Sequence, residues 1–436
     1  MTQLRIPGSK GLPVLGESLA VIDDPYQFAH GHIARYGPVF ATNIQGKTTV
    51  AMVSAAAQEY VLGTHHRNFL ASAGYGYLND FLGGALLLQD GPTHIRQRRL
   101  LAPAFRQHNM AAYLATMNRF IDGQLATWGA QGQRALYDEM RQLTFKLASA
   151  LLLGIEPGPT YDQLIHLWVD YARGLFAIVK VDTPFTIYGR ALQAQRHIEQ
   201  LVRTTIAQRR GQPTSDALGL LINAHDEQEG QLTDEELISQ TKLLIFAGYD
   251  TTSGTLTWLM TELLQQPALL ERVRVAVRAD DRDAPVTLDD LRDKPFLDAL
   301  VDETLRLHPQ QPLMLRGTVD PFDFGGFTIT AGTPVMLLPA YTHRDPAYFA
   351  DPERFNPDRF LAPQAEAQRT PYAWVGFGNG PHICLGEGIA RLEIKAMLTR
   401  LLRCFDLALV GTPNLHPRFL PTNRPKGPVT VAYTAR

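Results

Sequence analysis

The sequence predicts a mainly α-helical protein with small β-sheets, because of the intervals at which its apolar residues recur. A helical pattern extends from Pro103 to about Ala276, with apolar residues three and four positions apart. Short β segments are expected from about Gly317 to Met336, where Gly-Gly and Ala-Gly pairs indicate turns. Helical periodicity returns after Cys384. Most of the chain is therefore expected to be helical.

The N-terminal part is predicted to contain a helix followed by a pair of strands. The helix covers Pro25–Tyr36, and the strands cover Val39–Ile44 and Thr48–Val53. A long loop rich in proline and aromatic residues is expected over Pro339–Pro371, after the later β segments. The sequence has no apparent internal repeat and no long polar linker, so a single domain over residues 1–436 is expected.

One predicted helix is long and apolar enough to be buried on most of its faces. Thr233 and Glu236 form a capping-box pattern, and an apolar-rich run continues from them to Pro267. A run of about 30 residues at ~1.5 Å each spans roughly 45 Å. Its middle, Ala247–Thr252, contains Gly248, and glycine costs a helix about 1 kcal/mol relative to alanine. A role other than stability is therefore expected for this segment.

The composition is that of a folded globular protein. Hydrophobic residues make up 45% and charged residues 19% of the 436 residues, which argues against wholesale disorder. The formal net charge of −2 gives no indication of a nucleic-acid partner. The sequence has no apolar run of about 18 residues or more, so no membrane span is expected. Two cysteines do not make a disulfide framework, and a cytoplasmic location is the expectation.

The segment around Cys384 carries the strongest chemical signal. Residues 377–386 read Phe-Gly-Asn-Gly-Pro-His-Ile-Cys-Leu-Gly, a glycine-rich turn that leads into a helix. A thiolate near neutral pH needs electrostatic support, and a bound metal removes the thiol proton outright. Glycines let backbone N–H groups approach the sulfur. The alternative is that Cys384 is a small buried hydrophobic residue, as we expect for Cys404 on its apolar helical stretch.

Five residues of this loop, Phe377, Gly380, His382, Cys384 and Gly386, resemble the haem-ligand loop of the cytochrome P450 superfamily. Position 382 carries histidine where many members carry arginine. Four further segments resemble the family's motifs, in the family's order along the chain. They are the helix that grips the haem propionates (His94–Arg98), the oxygen-activating segment (Ala247–Thr252), the Glu-x-x-Arg helix (Glu303–Arg306) and the loop Asp351–Phe355.

The resemblance implies the cytochrome P450 fold, with haem b (iron protoporphyrin IX) between the long central helix and the cysteine-ligand loop, and Cys384 as the ligand to iron. His94 and Arg98 lie at i and i+4, so both can point at one target. The resemblance identifies this target as the haem propionates, with Arg316 and His382 contributing; the alternative for His94 is a surface histidine. Further cofactor contacts implied by the family's motifs are Ala247, Phe377, Gly380 and Gly386.

Asp250 and Thr251 are the candidate catalytic residues. The resemblance implies that Thr251 hydrogen-bonds dioxygen at the haem or a water beside it, while Asp250 helps to relay protons from solvent. A distortion of the helix near Gly248 is expected to open space for oxygen. The alternative is that the threonine hydroxyl bonds back to a carbonyl one turn earlier.

Glu303 and Arg306 lie at i and i+3, on one face of a predicted helix. Such pairs are usually exposed and contribute little, but the neighbours Leu300 and Leu305 favour burial here. The resemblance implies a Glu-Arg-Arg network with a structural role, in which Arg354 supplies the second guanidinium. Removing one partner from such a buried network would cost several kcal/mol.

The resemblance implies a haem-thiolate monooxygenase that inserts one oxygen atom from dioxygen into a largely apolar organic substrate, by hydroxylation or epoxidation. Phe246 and Leu313 are candidate substrate contacts, while the identity of the substrate is not indicated. Electrons are expected from a separate ferredoxin or flavodoxin-like donor with its reductase. The basic residues that we hypothesise to form its docking surface are Arg96, Arg99, Arg106, Arg391, Lys395, Arg400 and Arg403.

Two other kinds of haem protein remain alternatives. One is a haem-thiolate enzyme that uses peroxide or rearranges its substrate, and such chemistry has no need of a proton relay at Asp250 and Thr251. The other is a non-catalytic haem-binding sensor or carrier, for which neither the relay pair nor a donor docking surface is needed. A helical scaffold without haem would require five ordered motifs to be coincidental.

Overall fold

The computed structural model describes residues 5–212, 216–227 and 229–436, which divide between two compact units. The sheet unit comprises Met1–Gly76, Lys294–Cys384 and Asn414–Gly427. The helical unit comprises Tyr77–Asp293, Leu385–Pro413 and Pro428–Arg436. The expectation of one domain over residues 1–436 stays a prediction.

Helices predominate in the described chain, as the apolar periodicity predicts. In chain order the α-helices are α1 (Ser18–Asp23), α2 (Pro25–Tyr36), α3 (Ala55–Gln58), α4 (Ala71–Gly74), α5 (Asn79–Leu82), α6 (Gly91–Leu101), α7 (Met110–Leu125), α8 (Leu136–Leu153), α9 (Pro159–Gly174), α10 (Ile187–Arg209), α11 (Ala217–Ile222), α12 (Asp234–Gln265), α13 (Pro267–Val277), α14 (Leu288–Leu291), α15 (Pro295–Leu307), α16 (Pro339–Thr342), α17 (Glu366–Arg369) and α18 (Glu387–Cys404).

The strands are short and form small sheets, which confirms the predicted fold class. In chain order they are β1 (Val39–Ile44), β2 (Lys47–Met52), β3 (Phe69–Leu70), β4 (Gln131–Ala135), β5 (Met314–Thr318), β6 (Phe322–Phe324), β7 (Phe327–Ile329), β8 (Pro334–Leu337), β9 (Phe405–Leu409), β10 (Pro417–Arg418), β11 (Arg424–Pro425) and β12 (Thr430–Ala435). The sheet orders are β1-β2-β8-β5-β3, β4-β12-β9, β6-β7 and β10-β11.

The predicted helix Pro25–Tyr36 and the hairpin after it are confirmed, and local chemistry explains both. Asp24 caps α2 by accepting from the Gln27 N–H at 3.0 Å. The β1–β2 turn uses Gln45 and Gly46, whose φ angles of 51° and 80° are both positive. Two consecutive residues with positive φ make the turn that matches the twist of a hairpin.

The five-stranded sheet is covered by apolar clusters on both faces. Along β2 and β8, successive side chains alternate between the faces, as the pleat requires. Val50 and Val335 belong to the cluster that contains Phe69, whereas Ala51 and Met336 belong to the cluster with Phe28 and Phe40. This two-sided burial places the sheet in the core of the unit that also contains the cysteine loop.

The long apolar helix is present as α12 and begins at the predicted capping box. The Glu236 N–H donates to Thr233 Oγ1 at 3.2 Å, and the Thr233 N–H donates to Glu236 Oε2 at 2.9 Å. The helix packs against α8 and α10 in the helical unit. The distortion expected near Gly248 does not interrupt the helix, because α12 runs as one α-helix from Asp234 to Gln265. No helix of the described ranges combines the length and the apolar character that a membrane crossing requires.

Candidate functional site

Cys384 lies at the end of a tight loop of the sheet unit that begins at Phe377. The Cys384 N–H donates to the Phe377 carbonyl at 2.8 Å, which closes the loop. A short 3-10 turn, Gly380–His382, lies between these two residues. The Cys384 side chain is exposed, and the two cysteines of the chain are not bridged to each other. The loop therefore presents a thiol that an external group can reach.

Gly380 allows the loop to approach the preceding chain closely. Its φ of 68° lies in the left-handed region, which favours glycine. A Cβ atom at this position would lie 1.8 Å from the Leu62 carbonyl oxygen, so any other residue would displace the loop. Glycine is therefore required by the approach to Leu62, and its predicted contact with a cofactor stays a prediction. Gly386 is the N-cap of α18 in the helical unit, so the helix begins where the sequence predicts it to begin.

Trp374 and His343 anchor the loop, although the sequence pattern did not indicate either residue. The Trp374 indole N–H donates to the Asp302 carbonyl at 3.3 Å, and the Trp374 and Phe377 ring centroids are 6.4 Å apart. The Val375 N–H donates to His343 Nε2 at 3.0 Å. Burial lowers the pKa of His343 to about 3, so the neutral imidazole acts as the acceptor. No local signal marks these residues, because their partners lie far away in sequence.

Glu303 is a buried carboxylate of α15 that binds two guanidinium groups. Arg306 Nε donates to Glu303 Oε2 at 2.7 Å, and Arg306 Nη2 donates to Glu303 Oε1 at 2.9 Å. Arg359 Nε donates to Glu303 Oε1 at 3.1 Å, and the Asn356 N–H donates to the same oxygen at 2.6 Å. The exposed fraction is 0% for Glu303 and Arg306 and 1% for Arg359. The carboxylate therefore connects α15 with the loop that contains Asn356 and Arg359.

The structure corrects the prediction that Arg354 supplies the second guanidinium. The Arg354 side chain is exposed, and its carbonyl accepts from Arg306 Nη2 at 3.3 Å and from Arg359 Nη2 at 3.1 Å. Arg359, five residues later, fills the predicted role, because its guanidinium is buried and its Nε donates to Glu303 Oε1. It donates to Glu366 Oε2 at 2.6 Å and to the Ala350 carbonyl at 2.8 Å as well as to Glu303.

Arg316 on β5 is a buried cation of the sheet unit. It is 6% exposed, its Nη1 donates to the Leu315 carbonyl at 2.8 Å, and its guanidinium lies 6.0 Å from the Tyr75 ring centroid. Within the part of the chain that the structure describes, Arg316 forms no ion pair with a carboxylate. A buried guanidinium is stable only when an anion or several acceptors compensate its charge. Its surroundings therefore favour a bound anionic group.

Ala247 and Thr251 lie one turn apart on α12, on a side of the helix that is less covered than the rest. Ala247 is exposed and Thr251 is half-buried, although most of the helix is buried. The Thr251 Oγ1 hydroxyl donates to the Ala247 carbonyl at 2.6 Å, which is the back-bonded arrangement considered as the alternative. Asp250 is 0% exposed and lies in the contact with α8 instead. The predicted catalytic pair thus occupies two different sides of one helix.

Tyr137 and Arg141 of α8 contact the Asp250 carboxylate, and the sequence pattern did not indicate them. The Tyr137 hydroxyl donates to Asp250 Oδ1 at 3.2 Å. Arg141 Nε lies 3.5 Å from the same oxygen, at ion-pair distance. The Arg141 side chain is 38% exposed, whereas that of Asp250 is 1% exposed. Asp250 is therefore held by groups that connect it to the protein surface.

The candidate propionate ligands of the helical unit lie on α6. His94 is buried and Arg98 is half-buried, one turn later on the same helix. His382 is half-buried in the 3-10 turn of the sheet unit. The binding of propionates by these residues stays a prediction.

The candidate substrate contacts occupy different environments. Phe246 on α12 is partly buried, and its ring centroid lies 6.2 Å from that of Phe176. Leu313 packs against the apolar cluster of the sheet unit that contains Phe28 and Phe40. Leu313 thus has a role in the core, and the substrate contacts of both residues stay predictions.

The hypothesised basic docking surface is corrected in part, because three of its members are buried. Lys395 Nζ donates to the Leu291 carbonyl at 3.3 Å. Arg400 Nε donates to Asp122 Oδ1 at 2.7 Å, and Arg403 Nη2 donates to Asp290 Oδ1 at 2.8 Å. These cations stabilise contacts of α18 and are not available to another protein. Four members keep partial or full exposure, namely Arg96, Arg99, Arg106 and Arg391.

Glu393 is a buried carboxyl group of α18. Among the described residues its Oε1 has no hydrogen-bond partner, and burial raises its pKa to about 8. The unfolded chain ionises at a lower pH than the native protein, so native stability is lost as the pH rises toward about 8. We expect Glu393→Gln to reduce the fall in Tm between about pH 5 and pH 8. Tm profiles of equal slope in both proteins would contradict this.

The chemical groups of these residues suit an iron porphyrin. Cysteine thiolate is an iron ligand in haem proteins, and Cys384 presents an exposed thiol at the end of its loop. Arg316 in the sheet unit, and His94 and Arg98 in the helical unit, are side chains that bind carboxylates. The buried charge of Arg316, without an acidic partner in the described chain, favours a ligand that carries carboxylates. The side chains that each unit provides therefore have the chemistry that binding of haem requires.

Comparison with protein families finds the cytochrome P450 family model over residues 6–427. A protein named putative cytochrome P450 120 from Synechocystis is 32% identical over 427 residues, covering 98% of this chain and 96% of the relative. Cytochrome P450 26B1 of Mus musculus is 30% identical, covering 95% of this chain and 85% of that protein. Abscisic acid 8'-hydroxylase 2 of Arabidopsis thaliana is 28% identical, covering 94% and 86%.

Among solved structures, the retinoic acid-bound cyanobacterial CYP120A1 matches with a TM-score of 0.89 and 31% identity, covering 100% of both chains. The haem domain of a protein called cytochrome P450DA matches with a TM-score of 0.88 and 25% identity, covering 100% of this chain and 99% of the other. These matches extend over the whole length, in agreement with the cysteine loop and the Glu-Arg pair described above.

Proposed function

The chain belongs to the cytochrome P450 family and is an oxidoreductase of the monooxygenase type. We propose that it inserts one oxygen atom from dioxygen into a largely apolar organic substrate, by hydroxylation or epoxidation. The observation that carries the proposal is the family match over residues 6–427, within which Cys384 presents an exposed thiol at the end of a closed loop. The reaction needs a thiolate-ligated haem and a controlled supply of protons.

Cys384 is proposed as the residue that would hold the iron of haem b through its thiolate. Bound haem supplies the activation of dioxygen, which electron density from the thiolate favours. The closing bond from the Cys384 N–H to the Phe377 carbonyl fixes the direction of the loop, and Gly380 keeps it close to the sheet unit. The carboxylates of the cofactor are proposed to bind Arg316, His382, His94 and Arg98, and its ring to contact Phe377, Gly380, Gly386 and Ala247.

Thr251 and Asp250 are proposed to supply protons to the reacting oxygen. The Thr251 hydroxyl donates to the Ala247 carbonyl at 2.6 Å, and rotation about χ1 lets it donate to a ligand on the uncovered side of α12. Asp250 is adjacent in sequence and has access to solvent through its α8 partners. A hydroxyl that can exchange partners and a nearby carboxyl group are what a short proton relay requires.

An apolar substrate is supported by two of the matching proteins. One structure carries retinoic acid and one relative is named for abscisic acid, and both compounds combine a largely hydrocarbon skeleton with a carboxyl group. A substrate of this chemical type is proposed for this chain, with Phe246 as a contact on α12. Leu313, which packs against the core cluster that contains Phe28 and Phe40, is proposed as a second contact.

Electrons are proposed to come from a separate ferredoxin or flavodoxin-like donor with its reductase, in the cytoplasm. The exposed guanidinium of Arg106 in the helical unit supports an acidic partner. The guanidiniums of Arg96, Arg99 and Arg391 give less net positive charge, because they form ion pairs with Glu236, Asp226 and Glu387. Attraction between such surfaces would weaken as salt screens it.

Replacing Thr251 by alanine tests the proposed reaction. We expect electrons from the donor to be consumed still, while product formed per electron falls by about 10-fold and peroxide accumulates, because the hydroxyl that directs protons is lost. The measurement is product and peroxide per reduced nicotinamide oxidised. Thr261→Ala is the matched control, since Thr261 back-bonds to Thr257 at 2.7 Å on the same helix. Unchanged coupling in Thr251→Ala would favour a peroxide-using or rearranging enzyme.

A further inference from the structure

A cavity of about 360 Å³ lies in the helical unit, beside the N-terminal part of α12. It is bounded by α12, by α10 and by residues of the segment 79–84. Sites for small molecules have volumes of roughly 300–1,000 Å³, so the cavity is large enough for part of an organic ligand. Ser239 and Lys242 line it from α12, and Gln195 and Glu199 line it from α10. The polar groups of these four side chains determine which ligands it can accept.

Lys242 is a buried ammonium group with hydrogen-bond donors to spare. It is 3% exposed, and its Nζ donates to Glu199 Oε1 across the cavity wall. An ammonium group carries three N–H donors, and Glu199 is the one acceptor that Nζ has among the described residues. A buried cation is costly unless acceptors satisfy its donors. Lys242 therefore favours a further acceptor inside the cavity.

The Ser239 hydroxyl is a second donor on the same side of α12. Ser239 precedes Lys242 by three residues, which places both on one face of the helix. Its Oγ forms no hydrogen bond within the part of the chain that the structure describes. It borders Gly84, where a Cβ atom would lie 3.2 Å from this oxygen. Phe246, the proposed substrate contact, follows Lys242 by one turn, so two polar donors and an apolar ring succeed one another along this face.

Glu199 can exchange Lys242 for water, whereas Lys242 cannot reach water itself. The Glu199 side chain is 31% exposed and that of Lys242 is 4% exposed. Gln195 Nε2 also donates to Glu199 Oε1, at 2.9 Å, while Gln195 Oε1 is buried and has no partner among the described residues. A carboxylate that enters the cavity can therefore replace Glu199 at Nζ, while Glu199 turns to the solvent.

The other carboxylates that line the cavity are compensated by cations of their own. Three ion pairs do this: Asp80 with Lys180 at 2.6 Å, Glu235 with Arg203 at 2.8 Å, and Glu236 with Arg96 at 2.6 Å. Paired charges repel an incoming anion less than isolated carboxylates would, because the fields of the two partners oppose each other. The buried ammonium of Lys242 therefore decides which charge the cavity attracts.

We propose that Lys242 and Ser239 bind the carboxylate of the substrate, and that Glu199 takes its place at Lys242 when no substrate is bound. This inference rests on the monooxygenase function proposed above and deepens it by naming the residues that select substrates with a carboxyl group. The exchange replaces one ion pair by another, and no covalent bond forms or breaks in it.

The position of Lys242 has a consequence for the site of oxidation. Lys242 precedes Thr251 by nine residues of α12, which at ~1.5 Å per residue is about 13 Å along the helix axis. Thr251 is proposed to donate to the reacting oxygen, so a carboxylate held at Lys242 lies far from the reaction. We expect oxidation at a carbon remote from the carboxyl group, which mass spectrometry of the product locates. A product oxidised next to the carboxyl group would overturn the proposal.

Binding of retinoic acid and of abscisic acid, each compared with its methyl ester, tests the site without turnover. Equilibrium dialysis against the full-length haem-containing protein gives the dissociation constants. We expect at least one acid to bind about 10-fold more tightly than its ester, since hydrogen bonds to a charged group contribute roughly 1.5–3 kcal/mol. Lys242→Met should remove this preference, whereas Lys242→Arg should retain it. Native protein that binds neither acid, or binds acids and esters equally, would overturn the proposal.

Replacing Glu199 by glutamine separates ligand binding from a purely structural role of the ion pair. We expect Glu199→Gln to bind the acid several-fold more tightly and to gain more Tm from it, because the competing carboxylate is gone. Affinity for the ester should not change. Lys146→Met is the matched control, since Lys146 is a partly buried lysine that donates to Gln124 Oε1 at 2.8 Å. If Lys242→Met loses stability but keeps the native preference for acids, or if Glu199→Gln binds the acid more weakly, the pair only joins α10 to α12 and the proposal is wrong.

The proposed function and this inference would fail in different experiments. Failure of the monooxygenase assignment would appear in the native protein, as a missing thiolate spectrum or as turnover without a need for dioxygen. Failure of the inference would appear as equal affinities for acids and esters, in a protein that carries thiolate-ligated haem and oxidises its substrate.

Discussion

Replacing Glu303 by alanine is expected to cost about 3–5 kcal/mol of the free energy of unfolding, which is a large share of the ~5–15 kcal/mol that stabilises a protein. The change would leave the guanidiniums of Arg306 and Arg359 buried without their shared carboxylate. Neither cation can reach water without moving the loop that contains Asn356, which bonds to the same carboxylate. Denaturant unfolding measures the loss.

The control for this prediction is Glu353→Ala in the same unit. Glu353 is exposed and lies 3.3 Å from Arg344, so its removal should cost less than about 1 kcal/mol. Arg359→Ala should destabilise the protein as severely as Glu303→Ala, whereas Arg354→Ala should have a small effect because its side chain is exposed. A small effect of Glu303→Ala, or equal effects of the two arginine variants, would contradict the network.

Replacing Cys384 by serine is expected to abolish monooxygenase turnover while leaving the fold intact. The Cys384 side chain is exposed, so the change removes little packing, whereas a hydroxyl does not replace a thiolate as electron donor to iron. Product formation and thermal unfolding measure the two halves of this prediction. Cys404→Ser is the matched control, since that thiol lies at the end of α18 and should be dispensable for turnover. Native activity in Cys384→Ser would contradict the proposal that Cys384 binds the iron.

Much of the fold could be predicted because its signals are local. Apolar periodicity, the Asp24 cap and the Thr233–Glu236 capping box act within a few residues, and they place α2, α12 and the β1–β2 hairpin within a residue or two of where they lie. The distortion expected near Gly248 does not interrupt α12. The Thr251 and Thr255 hydroxyls bond to carbonyls one turn earlier, so polar side chains are accommodated without interrupting α12.

The parts of the site that could not be predicted depend on contacts between distant segments. Arg354 and Arg359 are five residues apart in one loop, and only the folded chain shows which guanidinium turns inward. Tyr137 and Arg141 precede Asp250 by more than a hundred residues, so their contact with Asp250 leaves no pattern in the local sequence. Basic residues such as Arg400 look like surface charge in the sequence, but in the structure Arg400 is buried and donates to Asp122.

The ligation of iron by Cys384 is tested most directly by the absorbance of the purified, reduced protein with carbon monoxide bound. Thiolate ligation is predicted to shift the main haem band to the long wavelength that sets this family apart from haem proteins with a histidine ligand. A band at the histidine-type position in freshly reduced native protein, or purified full-length protein that binds no porphyrin, would contradict the account.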